Sequence, residues 1–457
     1  MIILLILSVC GSHCTAVQKQ DTQGDRSMEK EQTKEPAETG TMADSKEIMA
    51  TAMEAGHILL ENGAEISRVE DTMMRICTHF GVQNCHFFVL SNGIFTTGAE
   101  ENKDNRSFAE VQHIPVRSAS LDRVIAVNQL SRDVAESGLS VSEVKQELER
   151  IRRSPGKPVW HQILASGFGS ACFCYLFGGS PFDSLGSFLA GILLYAFLLF
   201  PGKRLSKIFQ NVAGGALVTL ICFLNWRLGI GNSWSNMVIG AIIPLVPGVP
   251  FINGIRDIAD GDYIAGSVRL LDACLTFGCI AIGVGCMFSV IRSQLGLNGL
   301  LHPAELHMNE WILIWQCAAA FLGTISFALL YNVPVRFYLA CGVVGSSGWL
   351  IYSLMIWYAG VSAAFSTLIA TAAIVLLCRW FAVLKTCPAT VFVITGIFPL
   401  VPGAGIFWTS YQLVEAAFHE AMLTGFNAVK CSIAIVLAIV AVFEVPYRFF
   451  TRKQKRQ

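Results

Sequence analysis

From residue 159 onward the chain is a succession of long apolar runs joined by short polar or glycine-rich connections. A membrane-spanning helix needs about twenty mostly apolar residues. Ten runs approach that length, near 159–178, 185–201, 212–229, 233–251, 267–291, 311–331, 336–355, 357–378, 390–411 and 422–445. The seventh and eighth nearly touch, which predicts a tight helical hairpin. Before residue 159 the pattern changes. Ala52, Gly56, Leu59, Gly63, Ile66, Met73, Ile76 and Phe80 recur at three- and four-residue steps, one face of a helix with a bend expected at Asn62-Gly63. The other face carries Glu61, Glu65, Arg68, Glu70, Asp71 and Arg75. Arg68–Asp71 and Asp71–Arg75 have the spacing of helix ion pairs. These charges read equally as a solvated face or as a functional one.

His86–Leu90 and Ile94–Thr97 are rich in strand formers and flank Ser91-Asn92-Gly93. Asn-Gly between two such runs predicts a hairpin. A third strand is expected at Val111–Val116. Helices follow near Leu121–Glu136 and Val141–Ile151, with Ser140 as N-cap of the second. About a hundred residues suffice for a small α+β core.

One stretch occurs twice. Pro244-Leu245-Val246-Pro247-Gly248 lies in the fourth apolar run, and Pro399-Leu400-Val401-Pro402-Gly403 lies 155 residues later in the ninth. Proline removes helix hydrogen bonds and glycine loosens the backbone, so each copy should break its helix. Broken helices at matching places in two halves point to a transporter's binding site. Five spans per half is an odd number, so the halves enter the membrane in opposite directions. The expected fold class is therefore an all-α polytopic membrane protein of ten spans in two inverted five-helix repeats, with an N-terminal cytoplasmic α+β domain.

Loop charges orient this arrangement through the positive-inside rule. Arg150, Arg152, Arg153 and Lys157 precede the first span. Lys203, Arg204 and Lys207 follow the second, Arg256 and Arg269 the fourth, and Arg336 the sixth. Arg379 and Lys385 follow the eighth, and Arg448, Arg452, Lys453, Lys455 and Arg456 the tenth. The alternate connections are poor in Lys and Arg. Both termini and residues 43–158 are thus expected in the cytoplasm, at the plasma membrane. The first helix break falls toward the cytoplasm and the second toward the outside.

The expected segments are an extension at 1–42, the α+β domain at 43–158, a first membrane repeat at 159–291, an extracytoplasmic loop at 292–310, a second repeat at 311–447 and a basic tail at 448–457. The extension reads as disordered, or as signal-like through the apolar run Ile2–Val9 and Cys14-Thr15-Ala16. A start codon placed too early would also account for it.

Composition agrees with a membrane protein. The chain of 457 residues is 53% hydrophobic and 14% charged, below the soluble norm of about 25%. Lys+Arg and Asp+Glu both count 33, and no clustered basic face suggests a nucleic-acid partner. The fifteen cysteines include no CxxC or spaced Cys/His set and read as small buried hydrophobes. No cofactor is expected. His302 and His307 flank Glu305, but nothing else converges on them as a metal site would require.

The candidate site lies between the first motif and the fifth span: Asn253, Arg256, Asp257, Asp262, Arg269 and Asp272. In the second half, Lys430 occupies the first turns of span ten. A charge at membrane depth costs roughly 3 kcal/mol or more and usually faces a cavity. Arg269 or Lys430 is expected to meet a substrate carboxylate; the competing reading pairs Arg269 with Asp272 or lets it snorkel to the surface.

These residues together resemble the threonine/serine exporter family. The resemblance runs from residue 52 to about 445. It rests on Ala55-Gly56, Leu59-Leu60, Asn62-Gly63-Ala64-Glu65, Arg68-Val69-Glu70-Asp71-Thr72, Arg75-Ile76, Ala126-Val127-Asn128 and Leu130-Ser131-Arg132. Pro247-Gly248, Asn253-Gly254-Ile255-Arg256-Asp257, Gly261-Asp262, Gly266 and Arg269 continue it, with Pro399, Pro402 and Gly403 in the second half. The resemblance implies export of small amino acids such as threonine and serine, driven by the proton motive force. Related two-chain systems imply dicarboxylate export as an alternative.

The expected function is thus secondary active export by proton-coupled antiport with alternating access, and not catalysis. Asp257, Asp262 and Asp272 are the candidate titratable groups, with Glu415 and Glu444 weaker ones. The expected partners are a small-molecule amino acid or carboxylate, protons and the lipid bilayer, with a homo-oligomer left open. A membrane-anchored hydrolase or sensor acting through residues 43–158 is the competing class, and a channel a third.

Overall fold

The computed structural model describes residues 45–82, 84–99, 107–115, 119–295 and 309–446. The expectations for residues 1–42, for the tail and for the His302, Glu305 and His307 loop lie outside these residues.

The apolar face from Ala52 to Phe80 forms two helices rather than one bent helix. They are α1, Ser45–Glu61, and α2, Ile66–His79. Gly63 takes φ +82° and ends α1. The Ala64 N–H returns to the Leu59 carbonyl at 3.0 Å and the Gly63 N–H to Leu60 at 3.2 Å, the Schellman pairing that a left-handed residue permits. Three antiparallel strands follow in the order β1, Cys85–Leu90, β2, Gly93–Ala99, and β3, Ser107–His113. The hairpin stands where the local signal predicts it, but Leu90 pairs with Gly93 across Ser91-Asn92, so the glycine opens β2 instead of sitting in the turn. β3 begins before the expected Val111, and Val116 lies outside the described residues. α3, Leu121–Ser137, and α4, Val141–Arg153, complete this part. Ser140 caps α4 in a capping box with Glu143. Ala52, Leu59, Val69, Met73, Ile76, Val127 and Leu148 are buried in one core, which Ala265 joins from much later in the chain.

The remaining helices are α5, Val159–Leu176; α6, Pro181–Leu199; α7, Lys207–Arg227; α8, Trp234–Ile242; α9, Gly248–Ala259; and α10, Tyr263–Leu295. Then come α11, Glu310–Leu330; α12, Tyr338–Trp357; α13, Ala363–Lys385; α14, Ala389–Gly396; α15, Gly403–Val414; and α16, Phe418–Phe443. Among the described residues seven helices are long and apolar enough to cross a membrane, or up to nine if each of the bent pairs α8–α9 and α14–α15 is one span. Ten spans were expected. The difference is α5, which carries His161 and Gln162 in its first turn and falls outside that set. The hairpin between the seventh and eighth runs is also looser than expected, since residues 358–362 separate α12 from α13. α10 runs four residues past the expected boundary at 291.

The two halves follow one register. Trp234 and Ala389, Gly248 and Gly403, and Tyr263 and Phe418 open matching helices, and each pair is 155 residues apart. Matching helices pack alike: α5 on α6 and α11 on α12; α7 on α10 and α13 on α16; α9 on α10 and α15 on α16. The backbones of α7 and α10 approach closely. A Cβ on Gly283 would lie 2.1 Å from the Val212 carbonyl oxygen, and one on Gly215 2.8 Å from that of Ile280. Small residues let these backbones touch without the hydrophobic drive that water supplies to soluble helices.

Gly283→Ala is therefore expected to cost about 1–3 kcal/mol through overpacking. Gly278→Ala, on the same helix with open space around it, is the control. Thermal unfolding of the purified variants checks this; equal midpoints would contradict the backbone contact.

Candidate functional site

Each proline motif forms the same backbone break. Ile243–Leu245 and Phe398–Leu400 are short 3-10 turns. Pro247 follows with φ −79° and ψ 60°, Pro402 with φ −75° and ψ 52°. The helices on either side are bent by 57° in the first half and 43° in the second. The breaks touch each other reciprocally. A Cβ on Gly248 would meet the Phe398 ring at 2.6 Å, and one on Gly403 would meet the Ile243 Cδ1 at 2.9 Å. Ile243 and Phe398 hold equivalent places in the two copies. A contact of i with j matched by j with i is the signature of a two-fold arrangement.

In the first half α9 and α10 turn back on each other where Gly254 and Gly266 approach backbone to backbone. This brings Asn253, Asp257 and Arg269 to one spot. Asp257 is 1% exposed and Arg269 8%. The Arg269 Nη1 donates to the Asp257 Oδ2 at 2.6 Å. The other hydrogen bonds of this trio go to the turn between α1 and α2. Asn253 Nδ2 donates to the Gly63 carbonyl at 2.6 Å, and Arg269 Nη2 to the Ala64 carbonyl at 3.0 Å. The Ile66 N–H donates to Asp257 Oδ1 at 3.0 Å. Glu65, the N-cap residue of α2, makes no side-chain cap of its own. Asp257 supplies the missing anion at that helix N-terminus.

Two further contacts hold the turn. Glu65, 1% exposed, pairs with Arg68 and lies 3.4 Å from the Arg256 Nε. Burial raises its pKa, but Arg256 and Arg68 outweigh this, with the Thr390 hydroxyl of α14 assisting, and hold the carboxyl below the ordinary range. The Ser67 hydroxyl donates to Asp260 at 2.8 Å. Nearby, burial pushes the half-buried Glu70 carboxyl up, against a hydrogen bond from the Val89 N–H; the charges of Asp262 and Asp71 push the same way as burial.

The second half has a cavity where the first has this turn. It measures about 280 Å³ and runs along Pro399–Pro402, Ala404 and Gly405. Trp349, Tyr352, Thr367, Thr424 and Asn427 supply its polar groups, and no charged side chain lines it. Thr424 and Asn427 stand 155 residues after Arg269 and Asp272. That offset is the signal that would have found them from the sequence.

Other expected site residues fall elsewhere. Asp272 pairs with Lys207 at 2.6 Å, not with Arg269, on a partly exposed surface. Asp262 is half-buried in the connection between α9 and α10. Lys430 is exposed and sits 5.2 Å over the Phe426 ring, away from the cavity lining. Arg68 also reaches Asn128 at 3.2 Å and Arg75 reaches Ser131 at 3.0 Å, while Asp71 is exposed. Glu415 pairs with Arg292 at 2.8 Å. Arg379, read as a loop charge, lies inside α13 and is fully buried; it donates to the carbonyls of Val442 and Phe443 at the end of α16. Among the described residues no group of His, Cys, Asp and Glu could hold a metal ion.

A family model for threonine/serine exporters matches residues 50–291, and a second, "Threonine/Serine exporter, ThrE", matches residues 316–445. The chain is 26% identical to the threonine/serine exporter of Corynebacterium glutamicum over 86% of its own length and 80% of the relative's. It is 24% identical to the probable succinate transporter subunit YjjP of Klebsiella aerogenes, over 53% of this chain and 93% of that one. Pheromone-regulated membrane protein 10 of Pichia sorbitophila is 25% identical over 50% of this chain and 24% of its own. No solved structure matches. The broken helices, the run of apolar helices and these matches agree: the chain is a multi-pass membrane protein and belongs to the threonine/serine exporter family.

Proposed function

We propose that this protein is a secondary active exporter of small neutral amino acids, threonine and serine foremost, working by alternating access between the two broken helices. The observation that carries this reading is the charge-free cavity of about 280 Å³ on the second motif. Its volume is at the low end of small-molecule sites, about 300–1,000 Å³, and so suits a solute of few atoms. A dicarboxylate would bring two negative charges with no cation on the lining to meet them; a hydroxy amino acid is net neutral, its carboxylate balanced by its own ammonium group, and finds hydroxyl and amide partners in Thr367, Thr424 and Asn427. Asn253, Asp257 and Arg269 form the matching site of the first half, with an anion for an ammonium group and donors for a carboxylate. On this reading the halves are inverted, ten helices cross the plasma membrane, α5 included, and the termini and the α+β domain face the cytoplasm. Reciprocal contact of the two breaks and the 155-residue register support the inversion. The first-half site then faces inward and the second-half cavity outward.

A zwitterion carries no net charge, so the membrane potential does no work on it. About 2.3 kcal/mol per charge per 100 mV becomes available only when a proton or ion moves too. Antiport with protons therefore calls for a titratable group, and Asp257 and Asp262 are placed for that role.

Full-length protein in liposomes with an imposed pH gradient tests the reading with labelled threonine, serine and succinate. Gradient-dependent movement of threonine or serine is expected. Movement of succinate alone would replace the substrate class, and movement of none would overturn the function. Asn427→Ala and Thr424→Val should raise KM for threonine at least about fivefold, one lost hydrogen bond being worth about 1 kcal/mol; unchanged KM in both would remove the cavity from the pathway. Asp257→Asn and Asp262→Asn should insert yet lose pH-driven transport, and wild-type rates in both would sink proton coupling through these groups.

A further inference from the structure

The inner site is already occupied, by the protein itself. We infer that the Gly63–Ile66 turn is a tethered stand-in for the amino-acid substrate and serves as the inner gate. This rests on the exporter reading above. An α-amino acid offers carboxylate oxygens that accept and an ammonium group that donates. The turn offers the same set. Its Gly63 and Ala64 carbonyls take the donors of Asn253 and Arg269, and its Ile66 N–H fills one oxygen of Asp257. Apart from the bond between Arg269 and Asp257 themselves, the side-chain contacts of the trio are thus made to backbone.

The position agrees. A Cβ on Gly63 would lie 3.2 Å from Val249, and Val249 and Arg269 are the 155-residue counterparts of Ala404 and Thr424, which line the open outer cavity. Where the outer cavity is open, its inner counterpart holds the turn. Glu65 against Arg256 and Ser67 against Asp260 latch it at either side of the seat. The tether gives the turn a high effective concentration, so cytoplasmic substrate must displace it to bind. Once it withdraws, Asn253, Asp257 and Arg269 open to the cytoplasm together.

Hydrogen exchange on the full chain in lipid nanodiscs tests this. L-threonine at saturation should speed amide exchange across residues 62–68 while exchange in α1 stays the same. Glu65→Gln should speed it without threonine at least about tenfold, because removing one partner of a buried ion pair costs more than that factor requires. Gly63→Ala, strained at φ +82°, should act the same way; if it does not fold, Glu65→Gln carries the test. Folded Glu65→Gln with unchanged exchange at the turn overturns the gate. So does wild-type protein that transports threonine while threonine leaves the turn protected. A turn that opens in Glu65→Gln, in protein that moves no amino acid, overturns the exporter reading and the stand-in with it, while unchanged exchange in protein that does move threonine overturns the gate alone.

Discussion

A charge taken out of water has to be answered by another charge and by hydrogen bonds that use up what remains. Asp257 and Arg269, 2.6 Å apart and almost without solvent, are under that constraint. The pair alone does not satisfy it. Asp257 has a second oxygen and Arg269 a second terminal nitrogen, and both are met by backbone groups of a segment about two hundred residues earlier. That segment has its own need. α2 starts without a side-chain cap, and the anion that completes its first turn is Asp257. Two incomplete structures finish each other, and the described residues from 45 to 446 belong to one compact unit.

The repeated proline motif sets the frame in which that pair sits. Both copies impose nearly the same dihedral angles, and both are met by the partner copy's bulky residue, Phe398 against Gly248 and Ile243 against Gly403. The frame is symmetric and its lining is not. Arg269 and Asp272 in the first half become Thr424 and Asn427 in the second. Arg269, with Asp257, meets the backbone of the Gly63–Ile66 turn, whereas the second-half cavity is lined without charge.

Much of the architecture was legible beforehand because its causes are local. The Asn-Gly hairpin, the Ser140 capping box and the two helix breaks each depend on a few adjacent residues, and each is where the pattern put it. The errors have physical reasons too. One periodic face from Ala52 to Phe80 could not reveal that Gly63 would turn left-handed and divide it into α1 and α2. The i to i+3 spacing of Arg269 and Asp272 suggested a pair, but Lys207 on α7 competes for Asp272 and Asp257 on α9 for Arg269. Arg379 read as a loop charge because nothing near it in the chain shows the carbonyls of Val442 and Phe443 that hold it.

By itself the sequence determined the helical membrane part, the strands and caps before it, the doubled motif and the short list of charged residues near the first break. Hydrophobic period and turn chemistry act over a handful of residues and leave their mark in order along the chain. Only the tertiary structure decided which of those charges meet, that Asp272 and Lys430 stand apart from them, that neutral Thr424 and Asn427 line the cavity of the second half, and that the Gly63–Ile66 turn takes the hydrogen bonds of Asn253, Asp257 and Arg269. The hydrogen bonds of that turn join groups 190 to 205 residues apart, and the chain's path through space, not any local preference, brings them within reach.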